Sequence, residues 1–385
     1  MSGGRMPGSA RAARPKWRLP RVAAAGGAAC LLLLGPAALD AQVDAARIEA
    51  VATLLDELVS TYGVSGDESR VRAVVERHLP EWAAPEVDET GNLWVRVGAG
   101  APLVVFVAHL DEVGFQVTDV LADGTLVTRT RGGFFPWLWE ATPALVHTEG
   151  GPVPGVFMPR DDDVDPPSRR PSGPLRVDVG TRTREATEAL GVRTGDFVTN
   201  PKKLVRLAGT RATGRSFDDR AGTAAQVLAL QALDRDRLQH EVAFVWSVSE
   251  ETGLTGARAA ARALGAETVR VHAVDTFVSS AAPVDLANFA AAPIGEGPVL
   301  RGVDNSSVTP RDAIDTLMAL AARHDIPLQL GATNGSTDGT PFRDYGAVHV
   351  PVGWPLRYSH SPIELIDLVD VVRLADLVRF MAEEW

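Results

Sequence analysis

The sequence predicts an α/β fold in which a mixed, mostly parallel sheet has helices on both faces and is interrupted by an inserted small β-domain. Two observations carry this prediction. Apolar runs of strand length alternate with segments of helical periodicity in the first and last parts of the chain. The middle segment, from about Val117 to Ala212, combines short β-like runs with many Gly and Pro residues, which is typical of a small barrel or sandwich.

The length and composition are those of a globular protein with room for a buried site. A chain of 385 residues exceeds the usual size of one compact core, so we expect two domains, or one large domain with an insertion. The hydrophobic fraction of 45% and the charged fraction of 23% are near the averages for soluble proteins. A net charge of -11 argues against nucleic acid as a partner, because phosphate binding requires a basic surface.

The first 41 residues predict a secretory signal peptide. Six basic residues precede an apolar stretch at residues 22–39, and Ala41 ends a plausible small-residue cleavage site. We therefore expect a periplasmic or secreted protein without a stable membrane partner after cleavage. An uncleaved N-terminal membrane anchor is the alternative, since about 18 apolar residues approach the length of a membrane span. Cys30 is the only cysteine, so the mature chain would have no thiol.

Helices and strands are predicted to alternate on both sides of the middle segment. Before it, the pattern predicts helices over residues 44–58 and 65–78 and strands over residues 92–97 and 103–107. After it, we expect helices over residues 218–233, 253–264, 311–324 and 362–383, and strands over residues 242–248, 269–274 and 347–352. Within the middle segment, the charged residues 160–170 are expected to form an exposed loop.

Five short segments place histidine or carboxylate residues at the end of an apolar strand or the start of a helix. An α/β sheet keeps its active site at such positions. The segments contain His109 with Asp111, Asp218 with Asp219, Glu250 with Glu251, Asp275, and His360. Each has an ordinary structural explanation when taken alone, such as a helix N-cap for Asp218 or Asp275, a solvated pair for the two glutamates, or a polar loop for His360.

Taken together, these residues favour a metal centre. Glu250 and Glu251 repel one another beside a buried strand, which is costly unless a cation or a proton compensates. In the tripeptide from His109 to Asp111, the carboxylate could orient the imidazole toward an ion. Two histidines with three or four carboxylates suit a pair of zinc-like ions that share a bridging carboxylate. A serine triad is disfavoured because the chain has no Gly-x-Ser-x-Gly motif.

Several strings of the sequence resemble the family of glutamyl and tetrahedral (TET) aminopeptidases. Some members of that family carry a cellulase or endoglucanase label. The resembling strings are AHLDEVGF at residues 108–115, FDDRAG at 217–222, SEETGL at 249–254, TD at 337–338 and YSHSP at 358–362, with further matches at 175–180 and 188–196. They occur in the family's order, and the resemblance covers roughly residues 44–385.

The resemblance implies a domain organisation and an activity. Residues 44–116 and 213–385 would form a zinc-peptidase-type catalytic domain, and residues 117–212 a barrel-like domain used for dimerisation. The protein would remove N-terminal residues from short peptides as a metallo-aminopeptidase. It would form a homo-oligomer that is a dimer or larger, up to a dodecamer.

The resemblance also implies a role for each site residue. Two divalent ions, Zn²⁺ or Co²⁺, would bind to each subunit. Asp218 would bridge them, His109 and Asp275 would complete one site, and Glu251 and His360 would complete the other. Glu250 would be the general base that accepts a proton from the attacking water, while Asp111 would orient His109.

Two other enzyme readings and one non-catalytic reading compete with this one. A carboxypeptidase or amidohydrolase of the related zinc clan also uses a His-x-Asp and a Glu-Glu pair, but the continuation DEVGF after Leu110 favours the aminopeptidase. A glycosidase has no use for the histidine ligands. A binding protein or inactive homologue is disfavoured because every expected ligand and the base are present. Export itself departs from the cytoplasmic location associated with the family, and Asp338 begins a turn that matches the family only in part.

Overall fold

The computed structural model describes residues 43–160, 173–278 and 292–385. The predicted signal peptide, including Cys30, and residues 161–170 of the predicted charged loop lie outside the described residues. Within the described ranges, none of the helices combines the length and apolarity needed to cross a bilayer.

The described residues form seven α-helices and twenty strands. The helices are α1 (Ala45–Ser60), α2 (Ser69–His78), α3 (Arg184–Ala189), α4 (Phe217–Gln231), α5 (Thr255–Leu264), α6 (Arg311–Arg323) and α7 (Leu368–Glu384). The strands are β1 (Pro85–Val87), β2 (Leu93–Val97), β3 (Leu103–His109), β4 (Gly114–Val120), β5 (Leu126–Arg131), β6 (Pro143–Thr148), β7 (Gly151–Phe157), β8 (Arg176–Asp178), β9 (Phe197–Thr199), β10 (Val205–Arg206), β11 (Arg211–Gly214), β12 (Glu241–Ser247), β13 (Thr268–Ala273), β14 (Phe277–Val278), β15 (Val299–Val303), β16 (Gln329–Ala332), β17 (Val348–His349), β18 (Val352–Gly353), β19 (Pro355–Leu356) and β20 (Glu364–Asp367).

A six-stranded sheet with the order β1-β2-β12-β3-β13-β17 forms the centre of the main domain. Strands β12, β3, β13 and β17 are parallel, whereas β1 and β2 add an antiparallel edge. Every residue of β3 is buried, which explains its continuous apolar sequence. The predicted mixed, mostly parallel sheet is confirmed.

Helices cover both faces of this sheet. Successive residues of a strand point to opposite faces. Phe106 of β3 accordingly packs in the core formed with α1, α4 and α7, whereas its neighbour Val105 packs in the core formed with α5 and Phe342. Burying a side chain of this size contributes roughly 1.5–3 kcal/mol, so the two cores hold the central strands rigidly under the site.

The middle segment contains a closed barrel with the strand order β4-β5-β8-β7-β6-β9. Its core contains an aromatic cluster among aliphatic side chains: Phe115 packs against Trp139 and Phe157 with ring centroids 5.1 and 4.9 Å apart. Closure removes the exposed strand edges that an open sheet of this size would have. The next strands leave the barrel, because β11 pairs with β20 near the C-terminus rather than with a barrel strand.

The strand predicted over residues 347–352 is wrong as a single element. The structure contains two short strands there, β17 and β18, and they belong to different sheets. Pro351 lies between them, and proline has no N–H to continue a ladder. Its carbonyl instead accepts a hydrogen bond of 3.0 Å from the N–H of Arg301.

The last helix was predicted to begin near Pro362, and this start is also wrong. Residues 364–367 form β20, which is antiparallel to β11, and α7 begins at Leu368. The carboxylate of Asp367 caps this helix by accepting a hydrogen bond of 3.1 Å from the N–H of Val369. The pairing partner of β20 is distant in sequence, so the local pattern did not reveal the strand.

Helix α2 begins at Ser69 instead of the predicted Ser65. The hydroxyl of Ser65 donates a hydrogen bond of 2.6 Å to Asp111 and therefore does not cap the helix. This side chain belongs to the candidate site described next.

Candidate metal centre

The site residues predicted from the sequence converge at the carboxyl end of the parallel strands. His109 ends β3, Glu250–Glu251 follow β12, and Asp275 follows β13. Asp218 lies at the start of α4, where the backbone is not yet helical, and His360 lies in the loop before β20. Because parallel strands end at the same edge of a sheet, residues far apart in sequence meet there.

His109, Asp218 and Asp275 form the first group that could hold a cation. One ligand atom from each lies within 4.8 Å of the others, and all three residues are buried. Nε2 of His109 is 3.2 Å from Oδ1 of Asp218. On the other side of the ring, Nδ1 lies 3.2 Å from the carbonyl oxygen of Asp111 and 3.4 Å from its carboxylate. These acceptors favour a proton on Nδ1, which leaves the lone pair of Nε2 facing the group.

Asp218, Glu251 and His360 form the second group. Nε2 of His360 is 3.2 Å from Oδ2 of Asp218 and 3.2 Å from Oε1 of Glu251. Nδ1 of His360 lies 2.7 Å from the carbonyl oxygen of Gly133, so in the neutral imidazole the proton lies on Nδ1 and the lone pair of Nε2 faces the group. Asp218 thus directs one carboxylate oxygen to each group, as a bridging ligand would.

The charges of this cluster fit divalent cations. The side chains of Glu250 and Glu251 are only 11% and 4% exposed. Burial raises the pKa of Glu250, of Glu251 and of Asp275, the last to about 6 with a contribution from the charge of Asp218. Among the residues that the structure describes, Oε1 of Glu251 has no hydrogen-bond partner. Mixed nitrogen and oxygen ligands of this kind suit Zn²⁺ or Co²⁺.

Asp111 connects the first group to the two glutamates. Its Oδ1 accepts a hydrogen bond of 2.9 Å from the N–H of Glu250, and its Oδ2 accepts one of 3.1 Å from the N–H of Glu251. Oε2 of Glu250 lies 4.0 Å from Nε2 of His109. Glu250 also lies close enough to a cation position to form a third possible group with His109 and Glu251. The structure therefore brings all seven predicted residues together.

Glu364 and Asp338 are among the buried carboxylates at the site that were not assigned a role from the sequence. Glu364 accepts hydrogen bonds from the N–H groups of Phe217 and His360 at 2.6 and 3.2 Å, and burial beside Asp218 raises its pKa to about 8. It lies in a stretch that was predicted as helix, which concealed it. Burial raises the pKa of Asp338 to about 7, and this residue accepts a hydrogen bond from the hydroxyl of Ser247. Asp338 could have been found from the sequence, because it belongs to the string at residues 337–338 that resembles the family.

A buried ion-pair cluster holds the barrel against the main domain beside this centre. Glu112, at the entrance to the barrel, contacts Lys202 at its exit with a distance of 2.7 Å. Arg215 and Arg220 complete the cluster at the start of α4. Burial alone would raise the pKa of Glu112, but the three cations hold it below its usual value. Breaking such a buried pair typically costs 3–5 kcal/mol, so the cluster fixes the junction between barrel and sheet.

Comparison with known proteins points to one family. A family model described as M42 glutamyl aminopeptidase matches residues 91–377. The lysyl aminopeptidase of Pyrococcus furiosus is 30% identical over 342 residues, which cover 86% of this chain and 96% of that protein.

Solved structures share the fold over most of the chain. The TET1 peptidase of Pyrococcus horikoshii, described as able to assemble into a tetrahedron or a large octahedral shell, has a TM-score of 0.79 and 30% identity. The comparison covers 87% of this chain and 100% of that one. A Thermotoga maritima structure labelled endoglucanase has a TM-score of 0.69 and 27% identity, covering 86% of this chain and 96% of that one.

The crowded carboxylates predict that the folded protein binds divalent cations and is stabilised by them. We expect Zn²⁺ or Co²⁺ to raise the midpoint of thermal unfolding and a chelator to lower it, because an ion bound only by the native state stabilises that state. The ligands must be ionised carboxylates and neutral imidazoles, so protons compete with the ion and affinity should fall as the pH is lowered from about 7 to 5. Calorimetry measures the unfolding midpoint with and without the ion, and elemental analysis at each pH measures how much metal stays bound.

Substitutions of single ligands should distinguish the two cation groups by their metal content. Asp218→Asn should reduce the content of both ions, whereas Asp275→Asn should reduce that of one. Asp315→Asn on the exposed face of α6 is the control, and it should bind metal as the wild type does. Equal unfolding midpoints with and without chelator, together with no bound metal, would contradict the assignment.

Proposed function

Since the chain belongs to the M42 glutamyl aminopeptidase family and is therefore a peptide hydrolase of the aminopeptidase type, we propose that it removes N-terminal residues from short peptides with two divalent cations and Glu250 as the general base. The family resemblance found in the sequence strings is confirmed by the family model. The observation that carries the mechanistic proposal is Asp218, which directs one carboxylate oxygen to each of two cation groups.

The residues of the centre divide the work. His109, Asp218 and Asp275 would hold one cation, and Asp218 with Glu251 and His360 would hold the other. Bound there, two divalent cations supply Lewis-acid activation of water and polarisation of the scissile carbonyl.

Glu250 moves the protons. Its carboxylate accepts a proton from the attacking water and delivers it to the amine that leaves when the peptide bond breaks. Burial raises the pKa of Glu250, His109 opposes this, and the nearby carboxylates of Asp338 and Asp275 add to it. The hydrogen bonds from the N–H groups of Glu250 and Glu251 to Asp111 keep the base beside the cluster.

The other enzyme classes fit these residues less well. A glycoside hydrolase uses two carboxylates on either side of a sugar. That mechanism does not require His109 and His360 beside Asp218. A carboxypeptidase or amidohydrolase could use the same ligands, but the family model that matches this chain is that of an aminopeptidase.

The two glutamates should respond differently to the same substitution. Glu250→Gln should retain both ions and lower kcat by about 10²–10⁴-fold with little change in KM, because it removes the base and no ligand. Glu251→Gln should lose metal and activity together. Metal content and hydrolysis of aminoacyl-nitroanilides are measured on the same preparations, with and without added Zn²⁺ or Co²⁺.

Two outcomes would overturn this division. If Glu250→Gln lost metal while Glu251→Gln kept both ions, the roles would be exchanged. Full wild-type activity after exhaustive chelation would remove the cations from the mechanism altogether.

We also propose that the protein is a homo-oligomer in which the barrel provides subunit contacts. The assembly of the Pyrococcus horikoshii relative supports oligomerisation. The barrel carries exposed apolar side chains, among them Val156 at 48% and Leu190 at 45% exposure. Light scattering at micromolar concentration should show a dimer or a larger closed assembly. Val156→Glu with Leu190→Glu should reduce its size, Met318→Glu on α6 should not, and a monomeric wild type would contradict the proposal.

Export by residues 1–41 is a further proposal, supported by the basic segment, the apolar stretch and the small-residue junction. These residues lie outside the described ranges. N-terminal sequencing of the protein from its native host should begin near Gln42. Ala41→Phe should block cleavage at this junction. An intact Met1 on protein recovered from the soluble cytoplasm would count against export.

A further inference from the structure

The loop between β12 and α5 is held by side chains from other parts of the chain at four consecutive N–H groups. These groups belong to residues 248–251, the stretch that includes Glu250 and Glu251. The N–H of Val248 donates to Asn92 Oδ1 at 3.1 Å, that of Ser249 to Glu68 Oε1 at 3.0 Å, that of Glu250 to Asp111 Oδ1 at 2.9 Å and that of Glu251 to Asp111 Oδ2 at 3.1 Å.

The carbonyl groups of this loop are held as well. The carbonyl oxygens of Val248 and Ser249 accept hydrogen bonds from the N–H groups of Gly256 and Thr255 at 2.9 and 3.1 Å, at the start of α5. Nδ2 of Asn92 donates to the carbonyl oxygen of Gly256 at 2.9 Å. The backbone that carries the two glutamates is therefore fixed from both sides, and its position depends on the groups that hold it.

Glu68 is the least expected of these groups. It is the N-cap residue of α2, yet within the described part of the chain its side chain makes no hydrogen bond to the first turn of that helix. The residue is only 6% exposed, and its Oε1 accepts hydrogen bonds from both the N–H and the hydroxyl of Ser249 at 3.0 Å. The same oxygen accepts the N–H of Gly66 at 2.7 Å.

Ser249 needs such support because its backbone is strained. Its φ of 54° lies in the left-handed region, which non-glycine residues adopt only when the surrounding structure holds them there. Without the carboxylate of Glu68, the N–H of Ser249 would be left without an acceptor, and the loop could relax toward an ordinary conformation. Glu250 follows Ser249 directly, so its carboxylate would move with the loop.

We propose that Glu68 is a positioning residue for the general base: through Ser249 it fixes the direction of Glu250 beside the cation groups. The inference rests on the proposed function of Glu250. A displacement of 1 Å can cost about 100-fold in rate, since the base must lie within hydrogen-bond reach of the proton it accepts. Asp111 contacts His109 directly, whereas Glu68 contacts the loop at Ser249, which adjoins Glu250 and is one residue further from Glu251. Metal content measured beside kcat therefore distinguishes a displaced base from a displaced ligand.

The test compares Glu68→Ala, Glu68→Gln and the control Glu76→Ala. The control removes a carboxylate from the same helix, where Glu76 forms an exposed contact with Arg72. Three quantities are measured on metal-loaded protein: kcat and KM for an aminoacyl-nitroanilide, metal content, and amide hydrogen exchange at residues 248–251. Thermal unfolding midpoints show whether each variant is folded.

Glu68→Ala should lower kcat about 10- to 100-fold, with KM and metal content unchanged and faster exchange at the N–H of Ser249. Glu68→Gln retains an acceptor oxygen and should restore most of both properties. The proposal would be overturned if amide exchange at Ser249 were unchanged in Glu68→Ala, or if exchange were faster while kcat stayed the same. It would also be overturned if neither Glu68→Ala nor Glu68→Gln folded. An inactive wild type would refute the proposed function instead, and the exchange data would still decide whether Glu68 holds the loop.

Discussion

Repulsion among buried carboxylates at the carboxyl end of the parallel strands is the constraint on which the rest of the structure depends. Ligand atoms of Asp218 lie within 4.8 Å of Asp275 in one group and of Glu251 in another, and Glu250 lies as close to Glu251 in a third. Water screens these buried charges poorly. Such a cluster is tolerated only if cations or protons compensate it. The imidazoles, turned so that Nε2 faces the carboxylates, complete the ligand sets for that compensation.

The segment that forms the barrel also contributes to this centre. The carbonyl of Gly133, from the segment after β5, holds the ring of His360 in the orientation that directs Nε2 to Asp218 and Glu251. The buried contacts of Glu112 keep the barrel's two ends against α4. A displacement of Gly133 would therefore change the orientation of His360 in the second cation group.

The central sheet could be predicted because its strands carry their own signal. Strands that are buried on both faces must be apolar throughout, as β3 is, and the polar residues that follow them mark the edge where a site can form. The division near Pro351 and the start of α7 at Leu368 were not predicted. Both depend on pairing with strands more than one element away, and a local hydrophobic pattern contains no information about such partners.

By itself the sequence determined a set of candidate cation ligands, because ligand chemistry belongs to the side chain and the strand ends place those side chains at one edge. Only the tertiary structure decided how they are aimed. Gly133 acts through its backbone carbonyl, which no sequence motif identifies. Glu68 lies inside the helix predicted over residues 65–78, although the structure makes it the residue before the helix, and Glu364 lies in a segment with a helical pattern. Hydrogen bonds between elements distant in the chain set these orientations, since each requires the donor and acceptor to be brought together by the fold.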